Sequence, residues 1–96
     1  MNSKAHPDHN HGEHLINVRV VTTAGSYPAH GHERVQIAEP IAAILERAAQ
    51  ALGILDTKEW VARIGGDEVN AQQSYAQLHL HGEAKIDYGR RESGGG

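Results

Sequence analysis

The 96-residue sequence contains no cysteine and no phenylalanine. The missing cysteine removes disulfides, thiolate metal sites and any cysteine nucleophile in one step, and it suits a reducing compartment. With no Phe, one Trp and three Tyr, any core has to be aliphatic, built from Ile, Leu, Val and Ala. Positive charge is scarce as well. A formal net charge of -3 and a pI near 6.2 argue against a nucleic-acid binder, which would carry a clustered basic face. No apolar run approaches the roughly 18 residues of a membrane span. The opening "MNSKAHPDHNHGEHL" lacks the positive-then-apolar layout of a secretory signal, so the expected location is the cytoplasm, away from nucleic acid and membrane. Catalytic patterns are missing too: no Ser-His-Asp order and no paired-carboxylate cleft stand out. "GSYPAHGH" and "RIGGDE" carry glycine without the lysine or following helix that a phosphate loop needs. No catalytic residue and no bound cofactor are assigned.

What is present falls into three parts. Residues 1–14 are polar, with His6, His9, His11 and His14 among Pro, Asp, Asn and Gly; they cannot bury enough apolar surface to order themselves and are expected to form a flexible arm. Residues 15–88 carry the periodic patterns of a folded body, and residues 89–96 are a second polar, glycine-heavy tail.

Within the body, "LINVRVV" (Leu15 to Val21) alternates, with Ile16, Val18 and Val20 on one side: a half-buried strand. "TTAGSYPAHGH" is loop chemistry too long for a two-residue hairpin, and "ERVQI" follows as a second strand antiparallel to the first. "EPIAAILERAAQALGI" is an amphipathic helix. Pro40 opens it, and Ile41, Ile44, Leu45, Ala48 and Leu52 make one apolar stripe. Gly53 ends it as a left-handed cap with Ile54 folding back. "EWVARI" is a third strand, "GGD" a turn and "EVN" a short strand. "QLHLHGEAKIDY" closes the body: Leu78 and Leu80 alternate with His79 and His81, Gly82 and Glu83 turn, and Ala84, Ile86 and Tyr88 share a face on the last strand. One helix laid across a small mixed sheet is an α+β layer arrangement.

Eight histidines are an excess. His30 and His32, and His79 and His81, form two His-x-His pairs that would place both rings on one face if they lay on strands. Against a metal site, no carboxylate or third histidine is locally placed to close the coordination. Solvent-facing polar residues are the simpler account, and weak zinc, nickel or copper uptake the alternative.

The order strand, strand, helix, strand, short strand, strand, with "EWVARIGGDEVN" at the third strand and turn and "SYAQLHLHGEAKIDYGRRESGGG" as the final loop, strand and tail, resembles the ubiquitin-like β-grasp family. Within it, the chain is most similar to the ubiquitin-like modifiers of bacterial ubiquitination-like (Bub-type) operons. The resemblance covers Leu15 to Gly96. It implies a four- to five-stranded mixed sheet with one helix across it, and a Gly96 carboxylate as the conjugation site with Gly95 and Gly94 before it. It further implies an ATP-using activating enzyme, a conjugating enzyme, a deconjugating peptidase and a target joined through an isopeptide or ester bond. Departures are the long "TTAGSYPAHGH" loop, a third glycine, and Glu92 and Ser93 between Arg91 and the glycines.

The physics of the tail agrees with that implication. A carboxylate is a poor acyl donor and needs activation, and each Cβ near it would obstruct an enclosing enzyme, which glycine avoids. Eight residues from Gly89 to Gly96, extended at about 3.3 Å each, reach roughly 25 Å. Arg90 and Arg91 are available to pair with carboxylates of the activating enzyme along that route. Two alternatives remain open: a β-grasp sulfur carrier ending in a thiocarboxylate, and a His-rich metal-binding protein. An exposed apolar patch is expected on the sheet face away from the helix, from Val21, Val61, Leu78 or Leu80. Trp60 is read as core, and Lys4, Lys58 and Lys85 as solvated lysines that could accept a second copy.

Overall fold

In the computed structural model, which describes residues 14–91, Val18 and Val20 are fully buried while Asn17, Arg19 and Val21 between and beside them are not. This alternation makes β1 (Leu15–Thr22) a strand with one face on a core. Two short strands, β2 (Gly25–Tyr27) and β3 (Glu33–Gln36), follow it and both pair antiparallel with it: Val20 opposite Tyr27, Ile16 opposite Val35. They are one return strand broken by residues 28–32. The expected long loop is therefore a tight turn at Thr23 and Ala24 plus an interruption further on. Gly25 makes the turn possible at φ +134°, where a Cβ would also lie 3.3 Å from Leu52 Cδ2.

The helix α1 (Ile41–Leu52) buries Ile41, Ile44, Leu45 and Ala48, the stripe read from the sequence. Pro40 stands just outside it at φ -69°, ψ 148° and offers no side-chain cap. The exposed first-turn donors are met by a neighbouring segment instead: Ile41 N donates to Gln73 O (3.0 Å) and Ala42 N to Ala71 O (2.8 Å). At the other end Gly53 takes φ +70°, and Ile54 N donates to Ala49 O at 2.8 Å, a Schellman closure. Gly53→Ala is expected to cost about 1–2 kcal/mol, the penalty of a left-handed Cβ, read as a lowered denaturation midpoint with unchanged m-value.

The chain continues through β4 (Trp60–Ile64), β5 (Asp67–Val69) and β6 (Gly82–Arg90). The strand order is β2–β1–β6–β4–β5, with β3 also on β1; β6 lies parallel to β1 and antiparallel to β4. This is the expected mixed sheet with one helix across it, now with six strands.

Between β5 and β6 the sequence pattern misled. Leu78 to His81 is not a strand: Leu80 N donates back to Tyr75 O (2.9 Å) and His79 takes φ +60°, a helical turn with a left-handed end. Its start is a capping box, Ser74 N donating to Gln77 Oε1 (2.8 Å) and Gln77 N to Ser74 Oγ (3.1 Å). Leu78 and Leu80 pack against the core through this turn. Gly82 and Glu83, read as a turn, are the first residues of β6, opposite Ile16 and Asn17.

The core is aliphatic apart from Tyr75, which is fully buried. Its Oη has no hydrogen-bond partner among the described residues, and burial, with nearby Glu39 adding to it, raises its pKa well above the ordinary tyrosine value. Arg47 bridges Glu33 (3.2 Å) and Glu39 (3.4 Å) close by. Two outcomes follow. Tyr75→Phe is expected to leave stability unchanged or raise it by about 1 kcal/mol, since it deletes an unpaired buried hydroxyl and keeps the ring. Because the folded pKa lies above the unfolded one, the tyrosine's contribution is complete below pH ~10. It declines as pH rises beyond that, by at most about 1.4 kcal/mol per pH unit. Denaturant titrations of both proteins from pH 8 to 11.5 check the pair: the alkaline decline should be weaker in the phenylalanine variant.

Candidate functional site

β6 runs through the middle of the sheet and carries the chain toward the glycines. It extends two residues past Tyr88, so Gly89 and Arg90 belong to the sheet, opposite Val61 and Trp60 on β4. The strand alternates. Ala84, Ile86 and Tyr88 point toward the helix side and Lys85 and Asp87 away from it, so Arg90 and Arg91 fall on opposite faces. Tyr88 meets Trp60 edge-on, ring centroids 5.1 Å apart, which makes Trp60 half-buried packing for the strand end.

The two arginines sit differently. Arg91 N donates to Glu59 O at 3.2 Å, and Arg91 Nη1 donates to Glu68 Oε1 at 2.9 Å, so the chain stays zipped to β4 and β5 one residue beyond the strand. Arg90 is exposed beside a notch of about 160 Å³ shared with Asp56, Lys58, Glu59 and Trp60 and makes no ion pair with a described residue. The Arg91–Glu68 pair is solvent-exposed and worth roughly 0–1 kcal/mol; its role is geometric. Glu59 and Glu68 were not singled out in the sequence. Glu68 was traceable: β4 and β5 are a hairpin across Gly65 and Gly66, which sets Glu68 beside Arg63.

Gly94, Gly95 and Gly96 lie outside the described residues, as do His6, His9, His11 and Lys4. The remaining His-x-His residues are not on strands: His30 and His32 occupy the interruption between β2 and β3, and His79 and His81 the turn before β6. The one-face geometry expected of them is therefore lost. His32 Nε2 lies 4.0 Å from Glu83 Oε2, and among the described residues no group of three or more His, Asp or Glu is placed to hold a metal ion.

The expected apolar patch is also revised. Val21 and Val61 do face away from the helix, but Leu78 and Leu80 belong to the core side. The row across the outer face reads Val21, Asp87, Arg63, Glu68 in register, charge where hydrophobic contact was expected. The apolar surface lies elsewhere, in a groove of about 460 Å³ between helix and sheet edge that includes Leu45, Trp60, Val69, Ala71 and Tyr88. Leu55, 98% exposed, stands next to a second hollow that shares Leu45, Ala71 and Tyr88. Among the described residues no helix is long and apolar enough to cross a membrane.

A six-stranded mixed sheet, β6 parallel to β1 at its centre and one helix across it, superposes on a designed protein based on ubiquitin with a TM-score of 0.64 over 88% of this chain and 99% of that one, at 16% identity. The fold is ubiquitin-like. A chain from a structure described as molecular mimicry of SUMO promoting DNA repair aligns with the same TM-score, 0.64, at 11% identity, over 83% of this chain and 96% of that one. The N-terminal ubiquitin-like domain of the 4931431F19Rik protein aligns at 0.59 and 13% identity, over 86% and 81%. No protein-family profile and no curated protein matches the sequence. At these identities the ubiquitin-like likeness establishes the fold and leaves function to be argued from the chain's own residues.

Proposed function

We propose that this chain is a ubiquitin-like protein modifier, of the kind encoded in bacterial ubiquitination-like (Bub-type) operons, with Gly96 as its acyl donor. The Gly96 carboxylate, free as translated or after cleavage by a peptidase, attacks the α-phosphate of ATP on an activating enzyme and releases pyrophosphate. A cysteine thiolate of that enzyme displaces AMP to give a thioester. The acyl group passes to a conjugating enzyme's cysteine, and then to an amine or hydroxyl of a target, which releases the thiolate. A peptidase reverses the last bond by hydrolysis. The chain contributes no catalytic group; it supplies a docking body and a slim terminus.

The observation that carries this is the path of β6. The central strand of a ubiquitin-like sheet leads at the sheet's end into Arg90, Arg91 and a segment rich in glycine, the residue whose missing side chain permits close backbone approach. The Arg91 amide is bonded to Glu59, just before β4, and the five residues that follow in the sequence, 92–96, at about 3.3 Å each, span at most ~16 Å. A partner reaching Gly96 therefore has to sit close to the Trp60 end of the sheet. The test is expression of the epitope-tagged chain in its host. Conjugates of higher mass that survive boiling with thiol, and vanish when the chain is cut after Ser93, are expected; a single band at the mass of the tagged chain alone would contradict the proposal.

A further inference from the structure

We infer that the trough between α1 and the β4–β5 hairpin is the docking site for a basic amphipathic helix of a partner protein. Two hollows make the trough. One, of about 460 Å³, is lined by Leu45, Trp60, Val69 and Tyr88 among others; the second, of about 420 Å³, shares Leu45, Ala71 and Tyr88 with it and reaches Leu55. The space is left by alanines. Ala42 and Ala49 on the helix and Ala71 after β5 line the second hollow, where longer apolar side chains would close it. Leu55 stands at its rim almost wholly exposed, the one large hydrophobic residue so placed among the described residues. A small domain gains stability by burying such surface, so an open apolar trough beside an exposed leucine marks a contact surface.

Charge decides what fills it. No lysine or arginine lines either hollow, whereas Glu46 lies on the helix wall and Glu68 on the strand wall. Glu68 is held by Arg91, but Glu46 makes no ion pair among the described residues. Nor does Asp67, which strand alternation puts on the same face of β5 as Val69. The trough thus runs between unpaired carboxylates on its two walls. Lys58 and Arg90 belong to the notch beyond Trp60, where Asp56 and Glu59 offset them. A second copy of this chain, presented through the same surface, would set like charges against each other. Residues 1–13 and 92–96 hold no Leu, Ile, Val, Phe, Trp or Tyr to fill an apolar hollow. A strand added to the sheet edge would find only the three residues of β5, because the chain then turns to the helix start, Ala42 N donating to Ala71 O. A helix needs no backbone partner. Its apolar side chains at i, i+4 and i+7 enter the adjoining hollows, and flanking lysines or arginines meet Glu46 and Asp67. This inference goes beyond the modifier reading and does not depend on Gly96.

The full chain, ¹⁵N-labelled, is titrated with a synthetic helical peptide of about 14 residues, roughly 21 Å long, carrying leucines at i, i+4 and i+7 and lysines on both flanks. Saturable shifts are expected at Ala42, Ala49, Leu55, Ala71 and Tyr88, with a Kd below about 1 mM, the scale of weak recognition. The same peptide with glutamates for its lysines should bind about fivefold more weakly, the scale of two exposed ion pairs, and one with serines for its leucines should not bind. Leu55→Ser should weaken binding by about threefold through lost apolar contact and keep the charge preference. Glu46→Lys should erase most of that preference. Glu83→Lys makes the same change of charge on the outer face of β6 and should leave the preference within about twofold, because exposed charges that far apart are screened. Glu46, Leu55 and Glu83 are all exposed, so each variant should keep the wild-type fold, which its spectrum reads directly. The inference is overturned by the absence of saturable shifts at millimolar peptide, by equal affinity for the lysine and glutamate peptides, or by shifts gathered on the outer face. Sedimentation showing that the chain alone dimerises through Leu55 also overturns it, since a second copy would then fill the trough.

Discussion

Ile86→Ala is expected to lower stability by about 3–4 kcal/mol, toward the upper part of the range for removing a buried Ile side chain. Ile86 is fully buried on β6, the strand on which both halves of the sheet meet. It stands in register with Val20 of β1, itself fully buried, so the side chains across from it are held by the ladder and cannot collapse into the void. A domain of this size has about 5–15 kcal/mol in total, and each kcal/mol moves its melting point by roughly 4–8 °C. The variant should therefore melt about 12–30 °C lower, by calorimetry or circular dichroism. Leu55→Ala is the matched control, an aliphatic residue of similar size that is 98% exposed; its change should stay within about 0.5 kcal/mol. Similar losses in the two variants would mean that the burial pattern is wrong.

The second large effect concerns the tail. Removing Gly95 and Gly96 is expected to abolish charging onto the activating enzyme, at least a thousandfold in kcat/KM, while the melting point stays within 1–2 °C of wild type. A thousandfold corresponds to about 4 kcal/mol of transition-state stabilisation, a modest demand for moving the reacting carboxyl by two residues out of an enclosed site. The stability half follows from position: among the described residues every buried side chain lies between Ile16 and Ile86, well before the two glycines removed. Pyrophosphate-exchange and thioester gels with the activating enzyme that the modifier proposal requires read the first half, calorimetry the second.

Particular residues explain what was legible beforehand. The helix stripe and β1 could be read because their burial follows one period each and their ends carry chemistry, Gly53 for the helix above all. "ERVQI" was legible as β3, antiparallel to β1, but β2 was hidden because Pro28 and Gly31 look like loop, and that short strand is recovered only by its pairing with β1. Leu78 and Leu80 had strand spacing but belong to a turn. The capping pattern Ser74-x-x-Gln77 was visible in the sequence and outweighed the alternation. The outer face was misjudged in chemistry, since Asp87, Arg63 and Glu68 meet only once three strands are in register. The different settings of Arg90 and Arg91 needed the same knowledge, that the strand runs on past Tyr88 and that Glu68 lies on the neighbouring hairpin.

Tandem mass spectrometry of the full chain recovered from its host tests the central claim most directly, because it reads what is bonded to Gly96. The account predicts a fraction in which the Gly96 carbonyl is joined to a lysine amine or a hydroxyl of a second polypeptide, and in which that bond is lost on treatment with the deconjugating peptidase. Recovery of the chain solely with a free carboxylate, or with one carboxylate oxygen replaced by sulfur, would contradict it.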